Sequence, residues 1–151
     1  MKKVFLLSSI LLFFTNNTSF AEEISVKNNT IYFTQTPCQF VESEYKNGNF
    51  KTNTKNDCEK INDRTKTSRK TKSLVLKPGK YTFKVLNKNV PYELGFYLRG
   101  TGFGWITHPK ISGGGLFKGV TKDYTINLTE GEYVYSCPLN PTLDYSLTVK
   151  K

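Results

Sequence analysis

The chain has 151 residues and a formal net charge of +10, with 22 lysines and arginines against 12 acids and one histidine. That length supports one domain with a real core, and the single histidine excludes any site that needs two imidazoles from one chain. Aromatic residues make up 14% of the chain and β-branched residues are common, which favours strands over helices.

Taken in order, Met1 to Ala21 has the form of a secretory signal. Lys2 and Lys3 precede an apolar run from Val4 to Phe14, and Ser19-Phe20-Ala21 offers small residues at the last and third-last positions. The run is too short to span a bilayer, so cleavage after Ala21 is expected. No cysteine follows it closely, so a lipid anchor is not. Residues 22–151 are then expected to be periplasmic or secreted, to cross no membrane, and to carry a charge of +8. Such a balance suits acidic partners or anionic surfaces, and it also keeps a small protein soluble. Nucleic acid is not an expected partner, because no recognition motif is present. Three cysteines remain, Cys38, Cys58 and Cys137. An odd number in an oxidising compartment leaves one over, and three pairings are open.

From Glu22 to Gln35 the alternation of Ile24, Val26, Ile31 and Phe33 around an Asn28-Asn29 turn predicts a strand or two. Residues 36–72 are polar and charged, with little hydrophobic periodicity. They read as a long insertion held by a few anchors such as Phe40, Val41, Tyr45 and Phe50, with a short helix around Asp57 to Asp63. The insertion ends in the basic run Arg64, Lys66, Arg69, Lys70 and Lys72, a candidate docking patch for an acidic redox partner and otherwise a solvated loop. It has no helix-period apolar face, so it is not expected to lie on a membrane as a helix.

Beyond it the alternation is regular. Leu74 and Leu76, a Pro78-Gly79 turn, and then Tyr81, Phe83 and Val85 predict strand, turn and strand. Tyr92, Leu94, Phe96 and Leu98 share one face of the next strand, opposite Glu93, Gly95, Tyr97 and Arg99. Gly100 to Gly115 holds six glycines with Trp105 and His108, and reads as a long irregular surface loop. It lacks the pattern of a phosphate loop. Tyr124, Ile126 and Leu128 mark another strand, and Leu128, Gly131 and Tyr133 suggest a tyrosine corner. Finally Tyr133, Tyr135 and Cys137 share one parity and Leu143, Tyr145, Leu147 and Val149 another, so two strands flank one cysteine.

That ending, with LKPGKYTFKVLN, the NxxVPxxxxF element from Asn87 to Phe96 and the GxxxxYxxxLxxGxY run from Gly119 to Tyr133, resembles a cupredoxin. The resemblance spans residues 74–150 and implies an all-β Greek-key sandwich of six to eight strands, with residues 36–72 as an insertion pinned by a disulfide. It also implies that Cys137 is the free thiol, which pairs Cys38 with Cys58 in a ring worth about 3 kcal/mol. In plastocyanin-like members a histidine follows the proline after that asparagine, a second lies three residues past the cysteine, and a methionine lies eight past it. Here those places hold Tyr92, Asn140 and Tyr145, and only Cys137 matches. A type 1 copper centre needs two imidazoles with the thiolate. The expected product is therefore a sandwich without a standard copper site and with no cofactor, its lost ligands replaced by rings and hydrogen bonds around Cys137.

Two functions follow. The first is an exported binding or accessory module, acting on a periplasmic or extracellular protein or ligand through the loops Gly100 to Gly115 and Pro138 to Thr142. The alternative is an atypical copper-binding or electron-transfer protein, using Cys137 with His108 and oxygen ligands from Glu93, Tyr92 or Tyr145. Catalysis is not expected: there is no CxxC pair and no nucleophile motif, and the one histidine has no partner pattern.

Overall fold

The computed structural model describes residues 24–151; the expected signal segment, residues 1–21, lies outside the described residues. Among the described residues ten strands form two five-stranded sheets. In the first, β1 (Val26–Lys27), β2 (Thr30–Thr36), β5 (Gly79–Asn87) and β8 (Thr121–Leu128) lie in that order, with β3 (Gln39–Phe40) on β2. In the second the order is β4 (Leu74–Leu76), β10 (Tyr145–Val149), β9 (Gly131–Ser136), β6 (Leu94–Gly100) and β7 (Ile111–Leu116). Two pairings are parallel, β2 with β5 and β4 with β10, and the rest are antiparallel.

Period-2 alternation sets the core. Ile31, Phe33, Phe83, Val85, Leu94, Phe96, Leu98, Tyr133, Tyr135, Tyr145 and Leu147 point between the sheets and are almost completely buried. The rings interlock: Phe33 stacks on Tyr135 at 4.7 Å, Phe83 on Phe96 at 5.3 Å, and Phe40 meets Phe33 edge-on at 5.4 Å. The tyrosine corner forms as the sequence suggests. Tyr133 Oη donates to Thr129 O at 2.9 Å and accepts the Thr129 N–H at 3.3 Å.

The strand count exceeds the expected six to eight for two reasons. β3 is only two residues, too short for alternation to reveal. The segment expected to be an irregular loop, Gly100 to Gly115, instead contains the helical turn α2 (Gly104–Thr107) and most of β7. Its glycines serve close approach: a Cβ on Gly95 would sit 2.5 Å from Gly113 O across the β6–β7 pair. The Pro78-Gly79 turn also departs from a hairpin. β4 and β5 belong to different sheets, so the turn is a crossover between them.

The insertion carries β3, a 3₁₀ turn (Val41–Ser43) and helix α1 (Lys55–Thr65). Thr54 and Asp57 form a capping box at the start of α1, which covers the expected short helix. Cys38 and Cys58 are disulfide-bonded and fully buried. Of the expected anchors Phe40 is buried, but Tyr45 is 55% exposed.

Candidate functional site

Cys137 follows directly on β9, where the chain turns back toward β10. Its carbonyl accepts the N–H groups of Asn140 and Thr142, and its own N–H donates to Thr142 Oγ1 at 2.9 Å, so the Pro138–Thr142 loop is closed on the cysteine. The pairing of β6 with β7 shifts register between Leu94 and Phe96. At that break the Gly95 N–H points at Cys137 Sγ, 3.3 Å away. The thiol is fully buried, and burial pushes its pKa above the ordinary value. Donors on Gly95, Asn140, Leu139 and Gln35 pull in the other direction. Burial wins, and the group is a neutral, shielded thiol near neutral pH.

The space beside the thiol is filled by a bonded polar plug. Asn140, fully buried, accepts the Cys38 N–H on Oδ1 at 3.0 Å and donates from Nδ2 to Thr36 O at 2.9 Å and Gln35 Oε1 at 3.4 Å. Gln35 Nε2 donates in turn to Gly95 O at 2.7 Å. The Tyr92 phenol donates to Asn140 Oδ1 at 3.5 Å, lies 3.3 Å from Thr52 Oγ1, and touches the disulfide at Cys58 Sγ, 3.8 Å away. Burial raises the Tyr92 pKa, with the Thr52 hydrogen bond opposing it. Asn87 supports this end from below: its Nδ2 donates to Leu116 O at 3.0 Å and Val90 O at 3.2 Å, and its Oδ1 accepts the Val90 N–H. The NxxVP element is thus a brace for the loop that carries Tyr92.

Tyr145 does not join this plug. Its Oη donates to Glu44 Oε1 at 2.6 Å and accepts the Phe40 N–H at 3.3 Å. Glu44 is in turn ion-paired with Arg69, and both side chains are nearly inaccessible, 3% and 6% exposed. Arg69 also donates to Asn62 Oδ1 at 2.6 Å and Cys38 O at 2.8 Å, and its guanidinium lies 5.2 Å from the centre of the Phe50 ring. Burial and the Glu44 carboxylate raise the Tyr145 phenol well above its usual range, against the pull of Arg69.

These contacts correct the docking-patch expectation at one residue. Arg69 is a buried tie between the insertion and the sandwich, and cannot face a partner. Arg64, Lys66 and Lys70 are exposed, with Lys66 beside Asp63, and Lys72 lies over the Tyr45 ring at 5.5 Å. No local pattern marks Arg69 for this role. Gln35 was more legible, because it shares the inward parity of Ile31 and Phe33 while being polar.

His108 is not brought to Cys137. It stacks on Tyr133 at 5.0 Å between ring centres and lies over Gly131, where a Cβ would come within 2.0 Å of its Nε2. Tyr133 precedes Cys137 by four residues of strand, roughly 13 Å. The histidine therefore belongs to the opposite end of the sandwich. Glu93 is engaged elsewhere, accepting the Gly115 N–H on Oε1 at 2.6 Å. Around the thiol stand amides and a phenol, without an imidazole, and that donor set does not fit a type 1 copper ion. Among the described residues no three His, Cys, Asp or Glu side chains are grouped as metal ligands.

The outer surface at the Cys137 end holds a groove of about 460 Å³ between β6, β7 and the cysteine loop, lined by Gly95, Tyr97, Lys110, Gly113, Pro138 and Leu139. Of the two loops expected to act together, Pro138–Thr142 is here, as is the Gly113–Gly115 part of the glycine-rich segment. α2 is not, since Thr101 N bonds to Glu132 O at the far end of β9.

No protein-family model matches the chain, and no curated protein matches it. Among solved structures, auracyanin B is similar, with a TM-score of 0.51 at 13% identity over 87% of this chain and 96% of that one. A reduced amicyanin mutant gives 0.46 at 14% identity, covering 83% and 86% of the two chains. Auracyanin A, a blue copper protein from the green thermophilic photosynthetic bacterium Chloroflexus aurantiacus, gives 0.45 at 13%, covering 80% and 98%. The two-sheet topology and the likeness to auracyanin B show that this chain has a cupredoxin-like fold, and of the type 1 ligand positions it keeps the cysteine alone.

Proposed function

We propose that the chain is an exported, non-catalytic binding or accessory module built on a cupredoxin-like sandwich, without a standard type 1 copper site, acting through the loops at the Cys137 end. The observation that carries this reading is the plug. Asn140 uses both ends of its amide on Gln35, Thr36 and Cys38, so a metal entering beside Cys137 would have to break buried hydrogen bonds as well as find ligands. The groove above the plug, floored by glycines and walled by Tyr97, Pro138 and Leu139, offers a contact surface for a protein or ligand. Export is supported by the buried disulfide, which suits an oxidising compartment. No described helix is long and apolar enough to cross a membrane.

The competing reading, copper held by Cys137 with His108 and oxygen ligands, requires His108 to leave its stack on Tyr133 and cross the sandwich. Titration with Cu(I) and Cu(II), following thiolate-to-copper absorption and bound metal in the wild type and in Cys137→Ser, separates the two. The expected result is weak surface binding that is identical in both proteins. A saturable site near one metal per chain that disappears in Cys137→Ser would overturn the proposal.

A further inference from the structure

The end of the sandwich opposite Cys137 carries an apolar tip that the fold does not use. Phe103 and Ile106, one helical turn apart around α2, are 91% and 81% exposed. Side chains three residues apart in a helical turn project together. The turn beneath them is firmly seated. Trp105 meets Tyr97 edge-on at 6.3 Å, and Lys110 lies over the Trp105 ring at 5.4 Å. His108 N bonds to Gly104 O at 2.9 Å, and the His108 ring stacks on Tyr133. Phe103 and Ile106 thus form two adjacent bare apolar side chains on a fixed mount.

Register places a set of cations at the same end. Gly79 stands across from Leu128, so the β4–β5 crossover brings Lys77 and Lys80 beside the β8–β9 turn. Lys150 follows β10, its N–H bonded to Leu76 O, and Lys151 is next to it. All four lysines are exposed. The acids nearby are Glu130, which pairs with Lys151 at 3.6 Å, and Glu132, which accepts the Thr148 hydroxyl. The balance is positive, in line with the whole chain.

We infer that this end is a docking surface for a bilayer containing anionic phospholipid, with Phe103 and Ile106 inserted among the acyl chains, Trp105 at the headgroup level and the lysines on the phosphates. The shape and charge select this occupant. The tip protrudes, and two side chains supply far less apolar area than a specific protein interface needs. A fluid, anionic layer accepts such a protrusion without a matching pocket. Each nearby lysine adds to the attraction, and a half-exposed tryptophan suits the interface. Phe103 and Ile106, the side chains that enter the bilayer, take no part in the Cys137 reading, and the two tests fail separately.

Trp105 is the only tryptophan, so it reports on its own surroundings. The experiment mixes residues 22–151 with vesicles of phosphatidylglycerol and phosphatidylcholine, or of phosphatidylcholine alone, and reads co-sedimentation and Trp105 emission. Expected are binding and a blue shift with the anionic vesicles only, weakened by salt. The double variant Phe103→Ser/Ile106→Ser should partition at least roughly tenfold more weakly. Both side chains are exposed, so this variant should fold normally, which circular dichroism checks. Wild-type protein that stays in the supernatant with unchanged emission overturns the inference. So does equal partitioning of wild type and double variant, which would leave a lysine-only attraction without insertion.

Discussion

The two ends of this sandwich are built on opposite terms. At the Cys137 end, polar groups are drawn inside and tied: Asn140, Gln35, Glu44 and Arg69 are nearly or fully inaccessible, and each is hydrogen-bonded. At the α2 end, apolar groups are held outside, with Phe103 and Ile106 in contact with solvent. The same fold thus concentrates structural dependence at one end and leaves the other free to vary. Changes to the buried polar groups at the tied end should therefore reduce stability, and changes to Phe103 and Ile106 at the free end should not.

The largest effect is expected in alkali. Cys137, Tyr135 and Tyr145 are all buried and all have raised pKa values in the fold, from ordinary values of 9.0 for the thiol and 10.0 for the phenols. A raised folded pKa means that the folded chain holds its proton where the unfolded chain has lost it. The stabilisation is therefore fully present below about pH 9 and is lost as pH climbs through 10 toward the folded values. Each such group can steepen the fall by at most about 1.4 kcal/mol per pH unit, and only where the unfolded chain has lost its proton and the folded chain has not, so stability should decline progressively as pH rises above 10. Urea unfolding at several pH values between 8 and 11 reads this slope, and Tyr135→Phe should reduce it by one group's share. A flat profile across that range would show that these groups are not shielded as described.

Next in size is the Glu44–Arg69 pair. Removing one partner leaves the other charge buried without compensation, which costs about 3–5 kcal/mol. Arg69→Ala should lower unfolding stability by that amount, whereas Lys70→Ala, an exposed neighbour in the same basic run, should stay within about 0.5 kcal/mol. A loss below about 1 kcal/mol in Arg69→Ala would mean that the pair is solvated, and Arg69 would return to the surface patch.

The contrast between Arg69 and Lys70 also shows where sequence reasoning stops. Apart from β7, the strands from Leu74 onward and the tyrosine corner were legible, because each rests on local signals: alternation and a GxY spacing. Burial of Arg69 depends on Glu44, 25 residues away, and on the Cys38 carbonyl, contacts for which the basic run RTKTSRKTK has no pattern. Placement of His108 failed for a related reason. A glycine-rich segment shows no period, so nothing local revealed that α2 would turn His108 onto Tyr133 while β7 returned to the cysteine end. The polar plug was partly readable, since Tyr92 and Asn140 stand in the places that the cupredoxin resemblance marks. Gln35 comes from a strand a hundred residues before Asn140, and only the closed sandwich brings the two together.

The smallest expected effect tests the free end most directly. Phe103 and Ile106 give up little contact with the protein, so replacing both by serine removes little burial, and the change in unfolding stability should stay within about 0.5 kcal/mol. Trp105→Ala should behave differently. That ring packs on Tyr97 and under Lys110, and its loss should cost about 1 kcal/mol or more. If the serine pair instead destabilises as much as the tryptophan change, the tip is part of the core of its own loop, and the distinction between a tied end and a free end fails at α2.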